Sequence, residues 1–313
     1  VCSSDLLARQ VVEVLGDGYN VSGEVLKGHD FYSRRWSITL NDCEVGWVGF
    51  GASSDSPRQQ KQAQTIHANL YGTACTFARA GWREAMANKI DEWDAKITRC
   101  DLALDFFDGY AGGLDHAKAT YIDGAFDVNG KRPDCNMVGD WINNKARSLY
   151  VGSREAGKQT NIYQKGDQLF GVEARSPWIR WELRYGSKLR VLPSQMLRDP
   201  DGFFAGAGDA HREALDRLSS DEGQPEVLPT QKKLAALTVE AEVFRNVTWL
   251  ERVAAPSLAA AWRYLGDDGI LALVTGRSLP RRLQRYAAQV PDAFCKVAQR
   301  FVSHGVCPSP VMA

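Results

Sequence analysis

The sequence has 313 residues, with 38 Lys and Arg against 38 Asp and Glu, so its formal net charge is zero. Hydrophobic residues make up 44% of the chain and charged residues 24%, which excludes disordered, collagen-like and disulfide-scaffold proteins. This length is enough for one large hydrophobic core or two smaller ones. The total charge gives no sign of a strongly basic chain that wraps nucleic acid.

The sequence shows no membrane or secretion signal. No apolar run approaches the roughly 18–20 residues that cross a bilayer, and no basic segment followed by an apolar stretch stands at the start. The seven cysteines are an odd number without C-x-x-C spacing, which supports neither a disulfide framework nor a zinc knuckle. We therefore expect a cytoplasmic protein with reduced thiols.

The pattern over residues 33–219 predicts two α+β units. Strands are expected at 33–40, 44–52 and 64–72, before any helix, and an amphipathic helix follows at 82–93. The pattern then restarts with a strand at 97–107, a helix at 114–123 and a polar excursion at 125–146. Further strands are expected at 147–153, 159–165 and 178–185, with a helix at 208–219. Each unit is interpreted as a small antiparallel sheet with helices on one face.

The composition changes abruptly at 219–230, where SSDEGQPEVLPT is typical of a linker. Downstream the pattern is helical, with Thr230 as a candidate helix cap and Pro291 in a first helical turn. The sequence thus divides into an N-terminal unit (1–94), a second unit (95–218), the linker (219–230) and a helical C-terminal domain (231–313).

Charge is segregated along the chain. Residues 199–226 contain eight acidic and two basic residues, whereas residues 271–313 contain six basic residues and one acidic residue. The basic tail has two interpretations, a phosphate-binding surface or a solvated helix face.

The strand at 97–107 carries the first candidate site. Because side chains alternate along a strand, Asp101 and Asp105 share one face with Ala103 between them, opposite an apolar face. Two carboxylates this close favour a bound Mg²⁺ or Mn²⁺ ion. The alternative is that they form ion pairs with arginines such as Arg99 or Arg180.

A later strand supplies a third acid. Arg180, Glu182 and Arg184 alternate with apolar residues, so Glu182 is expected on the same open face as Asp101. This set fits a cation and phosphate site, and a structural ladder of ion pairs is the alternative.

The strand between them in sequence places Tyr163 and Lys165 on one face. A neighbouring ammonium or metal ion favours the phenolate form of a tyrosine, although most strand tyrosines serve packing. The hairpin before it contains Arg154, Lys158 and two glycines, which suits phosphate binding without forming a Walker A loop. Other catalytic motifs, including G-x-S-x-G and H-E-x-x-H, are absent from the sequence.

Four segments in order resemble a known family. They are R-x-D-L-A-x-D-F-F-D-G, Y-x-G-S-R-E-x-G-K, a strand ending Y-x-K-G, and W-x-R-W-E-x-R. Together they resemble the replication initiation factor family of rolling-circle initiators, found in filamentous phages and in staphylococcal-type plasmids and integrative elements. The resemblance covers about residues 30–210.

The resemblance implies a metal-dependent tyrosine nickase that lacks paired histidines. By position, Tyr163 would attack a DNA phosphate and stay joined to the 5′ end, with Lys165 easing the charge. Asp101 and Glu182 would hold Mg²⁺ or Mn²⁺, and Asp105 would be a third ligand or support the site from behind. The candidate DNA-binding residues are Arg99, Arg154, Lys158, Arg180, Arg281 and Arg282.

The family fold is a pair of sheet units forming a saddle over DNA, followed here by the helical C-terminal domain. Expected partners are origin DNA, single-stranded at the nick, a host helicase and a second copy of the chain, all in a bacterial cytoplasm. Tyr150 and Tyr185 are competing nucleophiles if the strand register is shifted. A non-catalytic DNA-binding regulator and a metal nuclease that uses water are the alternative functions.

Overall fold

A computed structural model describes residues 3–222 and 227–302 of the chain. The helices are α1 (Ser4–Leu15), α2 (Pro57–Ala63), α3 (Gly72–Phe77), α4 (Trp82–Glu92), α5 (Gly113–Ile122), α6 (Lys165–Phe170), α7 (Gln195–Arg198), α8 (Pro200–Ala205), α9 (Asp209–Glu222), α10 (Val227–Trp249), α11 (Ala255–Val274), α12 (Arg281–Gln284) and α13 (Val290–Val302). The strands are β1 (Tyr19–Val21), β2 (Leu26–Lys27), β3 (Tyr32–Leu40), β4 (Cys43–Ala52), β5 (His67–Leu70), β6 (Arg99–Phe106), β7 (Cys135–Asp140), β8 (Lys145–Ser153), β9 (Lys158–Gln164) and β10 (Ile179–Gly186). Within this part of the chain, no helix is long and apolar enough to cross a membrane.

Contacts divide the chain into two compact units. The described parts of 1–82 and 228–313 form one unit, and those of 83–227 form the other. This division differs from the one based on composition, because α4 groups with the second sheet and the C-terminal helices group with the first. Residues 223–226 of the predicted linker lie outside the described residues, and its remaining residues are helical.

The first unit contains an antiparallel sheet in the order β1-β3-β4-β5, with β2 paired to β3. The three predicted strands correspond to β3, β4 and β5. The expectation that no helix precedes them is wrong, since α1 begins at the Ser3 cap, whose hydroxyl accepts a hydrogen bond from the Leu6 backbone N–H. Helix α1 buries Ala8, Val11 and Val14, a helical spacing that the sequence contains.

The second unit contains a five-stranded sheet in the order β6-β10-β9-β8-β7, in which all neighbours are antiparallel. The predicted strands correspond to β6, β8, β9 and β10. Strand β7 lies inside the segment interpreted as a polar excursion. Its residues after Cys135 are exposed and its register shifts near Gly139, so this edge strand lacks the alternation that would identify it.

One face of the second sheet forms the hydrophobic core. Trp181, Leu183, Ile162 and Leu149 are fully buried there, in one cluster with residues of α5, α8 and α9. Truncation of a buried tryptophan such as Trp181 to alanine costs about 3–5 kcal/mol. The apolar residues of these strands therefore lie under helices, as predicted, and the alternate positions form the other face, called here the open face.

The C-terminal helices have a smaller cluster that includes Val243, Leu283, Tyr286 and Val297. Helix α10 begins at Val227, upstream of the predicted cap at Thr230, whereas Pro291 lies in the first turn of α13 as predicted. The Tyr286 ring packs against Phe77 with 5.2 Å between ring centroids, which ties these helices to the first unit.

Candidate active site

Strand register determines which polar side chains meet on the open face. Three consecutive cross-strand rows run over β6, β10 and β9, and they are Asp105–Arg180–Tyr163, Ala103–Glu182–Asn161 and Asp101–Arg184–Gln159. Directly paired residues point to the same face of a sheet. The structure thus brings Asp101, Glu182 and Tyr163 to one face.

Tyr163 is tied to Glu182. Its hydroxyl donates a hydrogen bond to Glu182 Oε2 at 3.2 Å. Burial raises the pKa of Tyr163 well above its ordinary value, and the negative charges of Glu182 and Asp105 add to this, whereas the Arg180 guanidinium opposes it. The phenol is therefore held protonated, with its proton directed at a carboxylate.

The three acids of these cross-strand rows, Asp101, Asp105 and Glu182, are each paired with an arginine. Arg99 donates to both oxygens of Asp101 at 2.8 and 2.5 Å, and Arg184 Nε donates to Glu182 Oε1 at 2.6 Å. The structure therefore contains the ion-pair ladder that the sequence left open. The face carries carboxylates together with the guanidinium groups that compensate them.

Asp105 is the most enclosed of these acids. Its carboxylate accepts two hydrogen bonds from Arg180 and one from Trp178 Nε1, each 2.7 Å long, and only 5% of the residue is exposed. With these donors around it, Asp105 does not fit the expected role of a third metal ligand. These contacts fit the alternative role predicted for Asp105, which is to support the site from behind.

The buried ion pair with Asp105 keeps the Arg180 guanidinium charged. Burial alone would lower the pKa of Arg180, but the charge and hydrogen bonds of Asp105 outweigh burial and raise it. A guanidinium that stays charged therefore lies directly across from Tyr163.

Lys165 does not continue the strand as predicted. Strand β9 ends at Gln164, and Lys165 begins α6. Its ammonium lies 5.8 Å from the Tyr163 ring centroid and donates to Gln168 Oε1 at 2.8 Å. The lysine thus contacts the ring of Tyr163 through a cation–π interaction.

The two competing tyrosines are separated by the faces of the sheet. Tyr185 lies in the hydrophobic core, where its hydroxyl donates to the Phe203 carbonyl at 2.9 Å. Tyr150 lies on the open face, paired with Asn161 and therefore two strands from Glu182. Tyr185 lies on the opposite face from Glu182 and so does not fit a nucleophile beside it. Tyr163 lies on the strand next to Glu182, whereas Tyr150 lies two strands away.

The predicted DNA-binding residues are dispersed. Lys158 pairs with Tyr185 on the helix-covered face, where its ammonium donates to the Ala207 carbonyl at 2.7 Å, away from the open face. Arg154 is exposed in the turn after β8. Arg281 and Arg282 begin α12 in the first unit, where Arg282 donates to Asn246 Oδ1 at 2.9 Å.

Asp101 and Glu182 are the two carboxylates of the open face that could hold a metal ion. They occupy diagonal positions on β6 and β10, a relationship that typically separates Cα atoms by about 7–8 Å. Among the described residues, no cluster of three or more His, Cys, Asp or Glu side chains could hold an ion. Two carboxylates fit Mg²⁺, which commonly binds one or two protein carboxylates together with waters and substrate phosphates.

Sequence reasoning missed three features of this site. These are the Trp178 N–H bond to Asp105, the pairing of Arg184 with Glu182 and the position of Asn161 between Glu182 and Tyr150. The first two depend on side-chain geometry. The third required the strand order, which hydrophobic patterning does not specify.

Comparisons with known proteins give a family and one similar structure. A family model described as replication initiation factor matches residues 95–273, more than half of the chain. The match begins just before β6 and extends through most of α11, whereas the resemblance noted in the sequence covered about 30–210.

Among solved structures, the chain is similar to a rolling circle replication initiator protein from Geobacillus stearothermophilus, with 19% identity and a TM-score of 0.44. The alignment covers 66% of this chain and 75% of that one. A comparison with curated protein sequences gave no match. From the extent of the family match, which includes the whole second sheet and its open face, the chain belongs to the replication initiation factor family.

Proposed function

We propose that the chain is a rolling-circle DNA replication initiator that nicks origin DNA by tyrosine transesterification. The observation that carries the proposal is the hydrogen bond from Tyr163 to Glu182, on a face that also holds Asp101 and Arg180. The family match supplies the context of replication initiation.

In the proposed reaction, the Tyr163 oxygen attacks the scissile phosphorus. A bond forms between the phenolic oxygen and phosphorus, and the bond from phosphorus to the 3′ oxygen breaks. The phenolic proton passes to Glu182 Oε2, its hydrogen-bond acceptor, and is available to the departing 3′ oxygen. The products are a 5′-phosphotyrosyl protein and a free 3′-OH.

Arg180 would stabilise the negative charge that develops in this step. Its guanidinium lies across from Tyr163 and donates two hydrogen bonds to Asp105, which also accepts one from Trp178. A fixed positive charge favours the phenolate and stabilises a phosphorus centre that carries five oxygens. Arg99 and Arg184 lie on the same face, where their planar guanidinium groups can pair with phosphate oxygens.

A divalent ion completes the proposal. Asp101 and Glu182 would hold Mg²⁺ or Mn²⁺, which would polarise the scissile phosphate as a Lewis acid. The covalent intermediate conserves the energy of the phosphodiester bond, so the same site can rejoin the strand when the 3′-OH attacks the phosphotyrosine.

The proposal also includes the expected DNA contacts and partners. DNA would contact the open face through Arg99, Arg154 and Arg180, and duplex origin DNA would contact α12 through Arg281 and Arg282. A host helicase and a second copy of the chain stay candidate partners.

The test is incubation of the protein with supercoiled DNA carrying its origin, in the presence of Mn²⁺. We expect a nicked circle with protein attached to the 5′ end, and a phosphopeptide that contains Tyr163. Tyr163→Phe should abolish the adduct, whereas Tyr185→Phe, on the opposite face, should keep it. Tyr185→Phe is the matched control because it also removes a single phenolic hydroxyl from this sheet.

Three other outcomes would contradict the proposal in different ways. An adduct formed by Tyr163→Phe would show that another residue is the nucleophile. Nicking without an adduct would indicate a nuclease that uses water. A wild-type protein that binds its origin and never nicks it would indicate a non-catalytic regulator.

A further inference from the structure

A cleft lies on the open face near the edge strand β7, beside the proposed catalytic residues. Its volume is about 340 Å³, at the lower end of the range for small-molecule sites. The residues that line it include Asp134, Asn136, Tyr150, Gly152, Arg154 and Gln159. The proposed transesterification assigns no role to this cleft.

Gly152 lines the cleft in a backbone conformation that favours glycine. Its φ of +79° belongs to the left-handed region, and a Cβ atom added there would lie 2.7 Å from the Lys158 carbonyl oxygen. A larger residue at this position would therefore strain its own backbone and press on that of β9.

Two amide side chains at or beside the cleft have a buried oxygen atom without a hydrogen-bond partner. Gln159 lines the cleft, and Asn161 lies directly across from Tyr150 with only 5% of its surface exposed. Within residues 3–222 and 227–302, neither Gln159 Oε1 nor Asn161 Oδ1 has a hydrogen-bond partner. Because an unpaired buried polar atom is costly, these amides indicate a ligand that offers hydrogen-bonding groups.

The remaining chemistry of the cleft fits a nucleobase. Tyr150 is half-buried and offers an aromatic ring, and bases of single-stranded nucleic acids stack on such rings. The amides of Asn136 and Gln159 can pair with base edges, and Arg154 supplies a positive charge for the sugar–phosphate backbone.

The position of the cleft relates it to the nick. Tyr163 pairs with Ser148, so Tyr150, two residues further along β8, is the diagonal neighbour of Tyr163. Such neighbours have Cα atoms about 7–8 Å apart. This spacing lets a strand whose phosphate reaches Tyr163 place a neighbouring nucleotide at Tyr150.

We infer that this cleft binds the base of an unpaired nucleotide next to the scissile phosphate, with Tyr150 as the stacking surface and Asn136 and Gln159 as readers of the base edge. The inference rests on the proposed function, since it takes Tyr163 as the point of attack. It gives Tyr150 a binding role in place of the nucleophilic role that the sequence left open.

The test measures binding of fluorescent single strands by anisotropy, in the Tyr163→Phe background. The probes are 12-nucleotide oligo-dT, oligo-dA and oligo-dC, and an abasic strand of equal length. Tyr150→Ala should weaken binding of at least one base-containing strand about 5- to 150-fold, the effect of losing one base stack. Tyr150→Phe keeps the ring and should bind all strands as its parent does. The abasic strand should bind equally to all three proteins.

Two further variants test whether the effect is specific to the cleft. Tyr264→Ala removes an exposed tyrosine from α11 and should leave binding unchanged. Gln159→Leu preserves the size of the side chain and should reduce the differences among dT, dA and dC.

The inference would be overturned if Tyr150→Ala bound every strand like its parent, or if it lost the same affinity for the abasic strand. Loss of binding by Tyr150→Phe would also overturn it, because that variant keeps the stacking ring. These outcomes are independent of the proposed chemistry, which fails only if wild-type protein forms no adduct through Tyr163.

Discussion

Tyr163 and Glu182 are joined by a hydrogen bond that runs diagonally between β9 and β10. Tyr163 is paired with Arg180 and Glu182 with Asn161, yet the Tyr163 hydroxyl donates to Glu182 Oε2 at 3.2 Å. Arg184 occupies the other carboxylate oxygen at 2.6 Å. One oxygen of Glu182 is thereby fixed by an arginine while the other faces the phenolic proton.

Glu182→Gln should therefore slow formation of the DNA adduct. Glutamine keeps the shape of the side chain but loses the negative charge that accepts the proton and that would bind a cation. We expect the rate to fall about 100- to 10,000-fold, the usual contribution of a general base. The rate is measured from the appearance of the covalent protein–DNA band in a denaturing gel.

Glu213→Gln is the matched control, because Glu213 lies on α9 in an ion pair with Arg217 at 2.7 Å, away from the open face. It should form the adduct at the wild-type rate. An unchanged rate in Glu182→Gln would remove Glu182 from the mechanism.

The two aspartates of β6 should behave differently when each is changed to asparagine. Asp105→Asn leaves the Arg180 guanidinium enclosed without its counter-charge, and breaking such a buried pair costs about 3–5 kcal/mol. Asp101 forms its ion pair at the surface, with 32% of its side chain exposed, so Asp101→Asn should cost about 1 kcal/mol or less. Urea denaturation measures both free energies of unfolding.

The metal requirement for nicking tests the role of Asp101 separately from its contribution to stability. Asp101→Asn should remain folded but require a higher Mn²⁺ concentration for half-maximal nicking, since one of the two candidate ligands is lost. Equal stability of the two variants would contradict the different burial of their carboxylates. A Mn²⁺ requirement unchanged by Asp101→Asn would contradict the assigned metal ligand.

The sequence was sufficient for the strands that carry this site. Alternation in β6 and β10 separates buried Leu102, Leu104 and Trp181 from the polar positions, and this assigned Asp101 and Glu182 to one face. Period-2 patterning works here because helices cover one face of the sheet and leave the other open.

The partners across strands were not predictable in the same way. Asp105 selects Arg180 rather than Arg99 because of the β6–β10 register, which depends on the whole folded sheet. Strand β7 was missed because an exposed edge strand has little pattern, and the cleft beside it combines residues of three strands and their turns that only the fold brings together. Helix α1, in contrast, has a cap and an apolar spacing that were present in the sequence.

Arg281 offers a test of the basic helix α12. If α12 contacts duplex phosphates, Arg281→Ala should weaken binding of duplex origin DNA and lower the magnitude of the salt slope, log K against log salt, by about 0.9 per lost contact. Binding is measured by anisotropy over a series of NaCl concentrations. Arg212→Ala removes an exposed arginine paired with Asp209 on α9 and should leave the slope unchanged. Equal slopes for Arg281→Ala and wild type would favour the interpretation of α12 as a solvated helix face.

His211 should make the stability of the protein sensitive to acid. The residue is 3% exposed, its Nε2 lies 2.8 Å from Thr160 Oγ1, and burial, assisted by the nearby Lys158 charge, lowers its pKa to about 3. An unfolded histidine has a pKa of about 6.5. Above that pH both states are neutral at this residue and it contributes no pH dependence. Below it the unfolded state binds a proton that the folded state refuses, so stability falls as the pH decreases towards 3.

The expected size of this effect is about 1.4 kcal/mol per pH unit below 6.5. His211→Gln removes the titrating group, so its free energy of unfolding should fall less steeply than that of wild type between pH 6.5 and 4.5, measured by urea denaturation at each pH. His116→Gln, which changes a partly exposed histidine beside Glu213, should retain the steeper wild-type dependence. Because carboxylates titrate in all three proteins, the difference between the curves isolates His211. Parallel curves for wild type and His211→Gln would mean that His211 is protonated equally in the folded and unfolded states, contrary to its burial among Phe126, Trp181 and Phe204.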